Sequence, residues 1–89
     1  MVSTELLDEE ITGLIRRFLA EAVGRPDEEI TDETDFIADL MLDSLDFVAL
    51  IGELEGRWGL RIGADTGIRA LGTVGAVRRY VHEALAERA

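Results

Sequence analysis

The chain lacks several residue types on which protein stabilisation and catalysis often depend. Its 89 residues include no cysteine and no lysine, and only one proline and one histidine. Without cysteine, neither a disulfide nor a thiolate metal site can stabilise the fold. Covalent catalysis by a lysine or cysteine nucleophile is excluded for the same reason. No apolar run approaches the roughly 20 residues that a membrane-spanning helix needs.

The first residues, MVSTELLDEE, carry acidic rather than basic side chains, which argues against a secretory signal. We therefore expect a cytoplasmic protein. Apolar residues make up 47% of the chain, enough to build a core in one small domain spanning residues 1–89.

Negative charge dominates the chain. Nineteen acidic residues against nine basic ones give a net charge of −10, so neither nucleic acid nor a membrane is an expected partner. No basic residue occurs between Pro26 and Gly56, and a solvated surface would explain any single acid there. The uniform sign of the whole block favours a docking face for basic partners. The acidic residues of this block are Asp27, Glu28, Glu29, Asp32, Glu33, Asp35, Asp39, Asp43, Asp46, Glu53 and Glu55.

Three stretches have the apolar periodicity of helices. The first predicted helix runs from about Thr4 to Val23 and ends at Gly24 and Pro26. Its apolar face consists of Leu7, Ile11, Leu14, Ile15, Phe18, Leu19 and Ala22.

The next segment, residues 24–42, is predicted to be a long ordered loop, because its Thr and Asp side chains favour local bonds to the backbone. A second helix is predicted from Ser44 to Arg57, with Asp43 as its N-cap and Gly59 as a left-handed residue at its end. The apolar anchors of the loop are Ile30, Phe36, Ile37, Leu40 and Leu42.

Two adjacent apolar stripes on the second helix predict that it packs against at least two other helices. One stripe is Phe47, Ile51, Leu54 and Trp58, and the other is Leu45, Val48 and Gly52.

The glycine-rich residues 60–72 are predicted to form a loop with at most one short helix, more mobile than the long helices. A last helix should start after Thr73 as its cap, with an apolar stripe of Val74, Val77, Val81, Ala84 and Leu85. The expected fold is all-α: a small, monomeric, antiparallel bundle of three long helices plus one short helix.

Catalytic and metal-binding motifs find no support in the sequence. The only imidazole, His82, is expected on the surface, and no GxSxG elbow surrounds Ser44. The acidic segment lacks the ligand order of a calcium loop, and no phosphate-binding GxxxxGK[ST] occurs. We therefore expect neither an enzyme nor a metal site.

Ser44 stands between Asp43 and Leu45 where the second helix begins. It can be a simple capping residue, or an exposed hydroxyl to which another enzyme attaches a group. An attached phosphodiester would lie at a helix N-terminus, which favours anions. The residues alone leave both interpretations open.

The stretch DFIADLMLDSLDFVALIGELEGRWGLRI resembles the core of the acyl carrier protein family, and TVGAVRRYV at 73–81 resembles the opening of that family's last helix. The resemblance lies in the D-S-L-D of residues 43–46 and in the spacing of the residues around it. Those residues are Phe36, Leu40, Val48, Leu50, Leu54, Glu55, Trp58, Gly59 and Ile62.

The resemblance implies an acyl-carrier-like bundle in which Ser44 bears a covalent 4′-phosphopantetheine donated by coenzyme A. It implies loading by a phosphopantetheinyl transferase, and partner enzymes such as an acyltransferase, a ketosynthase or an adenylating enzyme. By position, Asp43, Leu45, Asp46 and Val48 would form the face that these partners recognise.

Some positions depart from the fatty-acid carriers of the family. Met41 replaces their usual glycine, Ala49 replaces a common glutamate, and IGADTGIRALG replaces an acidic short helix. These differences favour a freestanding carrier of acyl thioesters in polyketide, antibiotic or other specialised biosynthesis over primary fatty-acid synthesis. Two alternatives stay open: an aminoacyl or peptidyl carrier, and a helical interaction domain without a prosthetic group.

Overall fold

The computed structural model describes residues 4–62 and 70–88, most of which lie in three α-helices. Helix α1 is Thr4–Val23, α2 is Ser44–Trp58 and α3 is Val74–Arg88. The predicted all-α bundle of three long helices is confirmed. The one short helix among the described residues is a 3₁₀ turn, Asp27–Glu29, in the first connection. Residues 63–69, within the stretch for which we predicted a mobile loop with at most one short helix, lie outside the described residues.

The ends of the helices lie where capping residues predict them. Asp43 accepts a backbone hydrogen bond at the start of α2 (2.7 Å), and Thr73 does so at the start of α3 (3.2 Å). Gly24 and Gly59, which follow α1 and α2, have φ angles of 70° and 64°. Glycine adopts this left-handed conformation without the steric cost of a Cβ, so it suits a helix C-terminus.

The core lies where α1 packs against both α2 and α3. Four of the five predicted loop anchors are buried in it, whereas Ile37 is 49% exposed and the prediction for that residue was wrong. The buried apolar side chains are Ile11, Ile15, Leu19, Ile30, Phe36, Leu40, Leu42, Phe47, Leu50, Leu54, Leu60, Leu71, Val74, Val77 and Val81.

The two apolar stripes of α2 predicted burial on more than one side of the helix, and one of these stripes is exposed instead. Leu45 and Val48 are 79% and 66% exposed, while Leu50, which belongs to neither predicted stripe, is fully buried. Leu45 precedes the buried Phe47 by two residues, which is about 200° around a helix, so the two side chains point in opposite directions. Among the described residues, the core covers only the Phe47–Leu50–Leu54 side of α2.

The first connection is fastened to the start of α3 by its backbone. Asp35 and Thr73 form an isolated antiparallel bridge, and three hydrogen bonds flank it. They join Phe36 N–H to Gly72 O (2.9 Å), Val74 N–H to Thr34 O (3.1 Å) and Gly75 N–H to Asp32 O (2.9 Å). Buried backbone groups need such partners, and here they fix residues 32–36 relative to the bundle.

A polar cluster ties the same connection to both neighbouring helices. Arg78 on α3 contacts Asp8 on α1 (3.5 Å) and Asp32 in the connection (3.2 Å). His82 Nδ1 lies 2.8 Å from Asp8 Oδ1, and its side chain is only 26% exposed. We expected His82 on the surface. Its side chain is instead partly buried, and its hydrogen-bond partner, Asp8, belongs to α1 rather than to α3.

Gly75→Ala should lower the free energy of unfolding by roughly 1 kcal/mol, because the added methyl group meets a fixed backbone. An added Cβ would lie 3.1 Å from Asp32 O and 3.2 Å from Asp32 Cβ. Gly52→Ala is the matched control in a helix, because its Cβ meets nothing within 4 Å. There we expect a gain of up to about 1 kcal/mol from helix propensity. Urea unfolding measures both, and equal stability of the two variants would contradict the close approach.

Candidate functional site

A turn held by two carboxylates leads into α2. Asp35 Oδ1 accepts hydrogen bonds from the N–H groups of Ile37 (2.9 Å) and Ala38 (2.8 Å). Asp39 Oδ2 accepts one from Asp35 N–H (2.7 Å). This reciprocal pattern resembles a capping box and satisfies the donors at the start of the turn. The local backbone bonding that the sequence predicts for Asp35 is confirmed.

The turn ends at Met41, whose N–H donates to Ile37 O (3.0 Å) and whose φ is 53°. Leu42 N–H then donates to Phe36 O (2.9 Å). Phe36 is buried and meets Phe47 of α2 edge to face, with ring centroids 5.4 Å apart. The entry of the chain into α2 is thus fixed by backbone bonds on one side and by aromatic packing on the other.

Ser44 is the first residue of α2 and is exposed. Within residues 4–62 and 70–88, its hydroxyl has no hydrogen-bond partner, and the backbone N–H groups of Ser44 and Leu45 donate to nothing. The Asp43 carboxylate takes the next donor, Asp46 N–H, at 2.7 Å. An accessible oxygen therefore stands beside two free donors at the positive end of a helix.

The arrangement does not activate Ser44 as a nucleophile by itself. His82 is bonded to Asp8, and the structure shows no Ser–His pair in the part of the chain it describes. In that same part, no group of three or more His, Asp or Glu side chains could hold a metal ion.

Exposed apolar side chains are concentrated in the part of the sequence around Ser44. The described part of the chain has five exposed large apolar residues, and Leu6 alone lies far from Ser44 in the sequence. Asp43 is exposed and Asp46 is partly buried, so all four residues expected to meet partners reach solvent. The other exposed apolar residues are Ile37 (49%), Met41 (86%), Leu45 (79%) and Val48 (66%).

Comparison with known proteins identifies the family of the chain. A family model described as a phosphopantetheine attachment site matches residues 13–81. An acyl carrier protein of Saccharopolyspora erythraea is 39% identical over 80 residues, covering 90% of this chain and 83% of that protein. The chain belongs to the acyl carrier protein family. An acyl carrier protein of Thermotoga maritima is 31% identical over 77 residues, covering 86% of this chain and 94% of its own length. A meromycolate extension acyl carrier protein of Mycobacterium tuberculosis is 36% identical over 75 residues, covering 84% of this chain and 64% of that protein.

Membership of the family makes the protein a carrier rather than a catalyst, with 4′-phosphopantetheine as its covalently attached prosthetic group. Its partners in general are a phosphopantetheinyl transferase and acyl-handling enzymes. The described residues fit the group, since an exposed hydroxyl without a partner adjoins free backbone donors suited to a phosphodiester.

None of the helices in residues 4–62 and 70–88 combines the length and the apolar character needed to cross a membrane.

Asp43→Ala should destabilise this carrier by about 1 kcal/mol, because Asp46 N–H loses its cap. Asp43→Asn is the control: asparagine caps helices about as well as aspartate, so the loss should be a few tenths of a kcal/mol. Urea unfolding of the apo protein measures both changes. Equal losses in the two variants would assign the effect to charge rather than to capping.

Proposed function

We propose that the Ser44 hydroxyl bears the 4′-phosphopantetheine, and that the protein carries acyl intermediates of a polyketide or other specialised-metabolite pathway. The observation that supports this most directly is the exposed, unbonded hydroxyl at the start of α2, inside the D-S-L-D of residues 43–46.

Loading needs a bond between the Ser44 oxygen and the phosphorus of coenzyme A that bears the pantetheine. As this bond forms, the phosphoanhydride bond breaks and 3′,5′-ADP leaves with the electron pair. The hydroxyl proton passes to a base of the transferase, because His82 is engaged with Asp8. In this step Ser44 supplies only a fixed, accessible oxygen, held by the capped start of α2.

The attached arm supplies a thiol that holds acyl groups as thioesters. What the chain contributes is a rigid point of attachment, since buried Leu40, Leu42 and Phe47 flank Ser44 on both sides in the sequence. A flexible arm on a rigid anchor raises the effective concentration of the bound group at each partner's active site.

The partner surface in this proposal is formed by Asp43, Leu45, Asp46 and Val48. These residues adjoin Ser44 along α2, reach solvent and combine negative charge with apolar area. Because no basic residue lies between Pro26 and Gly56, the surface suits a basic partner. Docking of this kind is fast, weak and sensitive to salt.

Two observations bear on the cargo. The similar proteins from Saccharopolyspora, Thermotoga and Mycobacterium are all named acyl carrier proteins, which favours acyl over aminoacyl groups. Met41, at the position that is usually glycine in fatty-acid carriers, favours a pathway other than primary fatty-acid synthesis.

Incubation of the apo chain with coenzyme A and a broad-specificity transferase should add the mass of one phosphopantetheine. Ser44→Ala should abolish the addition, because the acceptor oxygen is gone. Ser3→Ala removes the chain's other serine and should load normally. Intact-mass spectrometry measures the added mass on the parent chain and on both variants. An unchanged mass of the parent chain with several transferases would favour an interaction domain without a prosthetic group.

The holo chain should gain an acyl group from an acyltransferase supplied with acyl-coenzyme A, and the same mass measurement shows it. With a panel of amino-acid adenylating enzymes and ATP, we expect no further gain in mass. Aminoacylation without acylation would instead identify an aminoacyl carrier. The holo form of an unrelated peptidyl carrier serves as the positive control for the adenylating enzymes.

A further inference from the structure

Met41 occupies a backbone position that this chain otherwise gives to glycine. The described residues include three with left-handed φ angles, and the other two are Gly24 and Gly59. Gly24 and Gly59 follow helices and Met41 follows a turn, and at all three the N–H donates to the carbonyl four residues earlier. Glycine fits there without cost, whereas any other L-residue brings its Cβ close to a carbonyl oxygen.

The Met41 side chain does not offset this cost by packing inside the fold. It is 86% exposed, more than any other large apolar residue that the structure describes. Its neighbours Leu40 and Leu42 are the ones that enter the core. The turn of the backbone at Met41 serves hydrogen bonds inside the fold, but the exposed methionine side chain is not needed for them. Methionine in place of glycine at this position therefore points to a contact made outside the chain.

The position of Met41 identifies the partner. Met41 is three residues before Ser44, and a transferase must bring its active site onto the Ser44 oxygen. A typical interface covers about 800 Å² on each partner, so the residues on either side of Ser44 are covered while it reacts. Exposed Leu45 and Val48 share one face of α2, one turn apart.

The charges around Met41 define the chemistry of that partner. Asp39 and Asp43 flank it in the sequence, Asp46 follows, and the whole block is free of basic residues. The complementary surface is an apolar pocket bordered by arginine or lysine side chains.

We infer that Met41 is a specificity-determining contact for the phosphopantetheinyl transferase, inserting its side chain into an apolar pocket with a basic rim. The inference rests on the proposed attachment at Ser44. Met41 anchors the carrier through apolar burial, and the acidic residues steer its approach.

Steady-state loading of the apo chain by a broad-specificity transferase with coenzyme A tests the inference. Met41→Gly should raise the KM for the carrier roughly tenfold, the size expected for losing one buried methionine side chain. The kcat should stay within twofold, because the loss of a contact that is equally strong in the bound substrate and in the transition state changes KM alone. An unchanged KM, or an effect confined to kcat, would overturn the inference.

Three controls separate a lost contact from a damaged fold. The thermal midpoint of Met41→Gly should be unchanged or about 5 °C higher, because glycine relieves the left-handed strain. A lower midpoint would contradict the strain on which the inference rests. Met41→Leu keeps an apolar side chain of similar volume and should keep KM within about threefold. Leu6→Ala, which shortens an exposed apolar residue on α1, should leave KM unchanged.

Salt dependence distinguishes Met41 from the acidic residues. The ratio of the KM of Met41→Gly to that of the parent should persist in 0.5 M salt, because salt does not weaken an apolar contact. At this salt concentration the screening length for interactions between charges is only about 4 Å. The ratio for Asp46→Asn should shrink under the same conditions. A Met41→Gly effect that disappears with salt would overturn the apolar contact.

The apo chain has no arm, so contact between Met41 and the arm cannot produce the expected result. Loading of Ser44→Ala would refute the attachment site itself. Normal KM of Met41→Gly, with loading still dependent on Ser44, would refute only the role of Met41.

Discussion

The backbone contact between residues 32–36 and 72–75 is the constraint on which the carrier site depends. It holds a long connection, with little regular structure, against the start of α3 through Phe36, Val74 and Gly75. Once Phe36 is fixed, its edge-to-face contact with Phe47 fixes the first turns of α2. Ser44 therefore has a defined place although it makes no side-chain hydrogen bond within the described residues. The fold leaves the hydroxyl free and holds the backbone before it by hydrogen bonds and by the Phe36–Phe47 contact.

The acidic block between Pro26 and Gly56 combines carboxylates that stabilise the fold with those of the proposed docking face, and the sequence alone does not tell the two groups apart. Some carboxylates bind within the chain: Asp35 and Asp39 hold a turn, Asp43 caps α2, and Asp32 pairs with Arg78. Glu55 accepts a hydrogen bond from Ile62 N–H at 2.9 Å. A carboxylate that accepts a hydrogen bond is not consumed by it, so these residues still belong to the acidic surface. A docking face can thus share residues with the framework that positions it.

Apolar exposure near Ser44 has a thermodynamic cost, since Ile37, Met41, Leu45 and Val48 leave much of their surface in water. Isolated exposed apolar residues are ordinary, but a group of them on both sides of the proposed attachment residue would have a direct use. In the proposed docking, association with a partner enzyme would remove that surface from water and contribute affinity that salt does not screen. Charge and apolar area then act at different stages, the first during approach and the second in the complex.

Local sequence signals determined the helices, their caps at Asp43 and Thr73, and the glycines that end α1 and α2. These features depend on interactions within a few residues, which the order of amino acids fixes directly. Tertiary structure alone decided which side of α2 is buried, because periodicity shows that a helix is amphipathic but not which neighbours cover it. Leu50 thus entered the core, and Leu45 and Val48 remained in solvent. The pairing of His82 with Asp8 and the left-handed Met41 were also beyond the sequence. Both depend on segments far apart in the chain, or on a turn whose geometry Asp35, Asp39 and the core impose together.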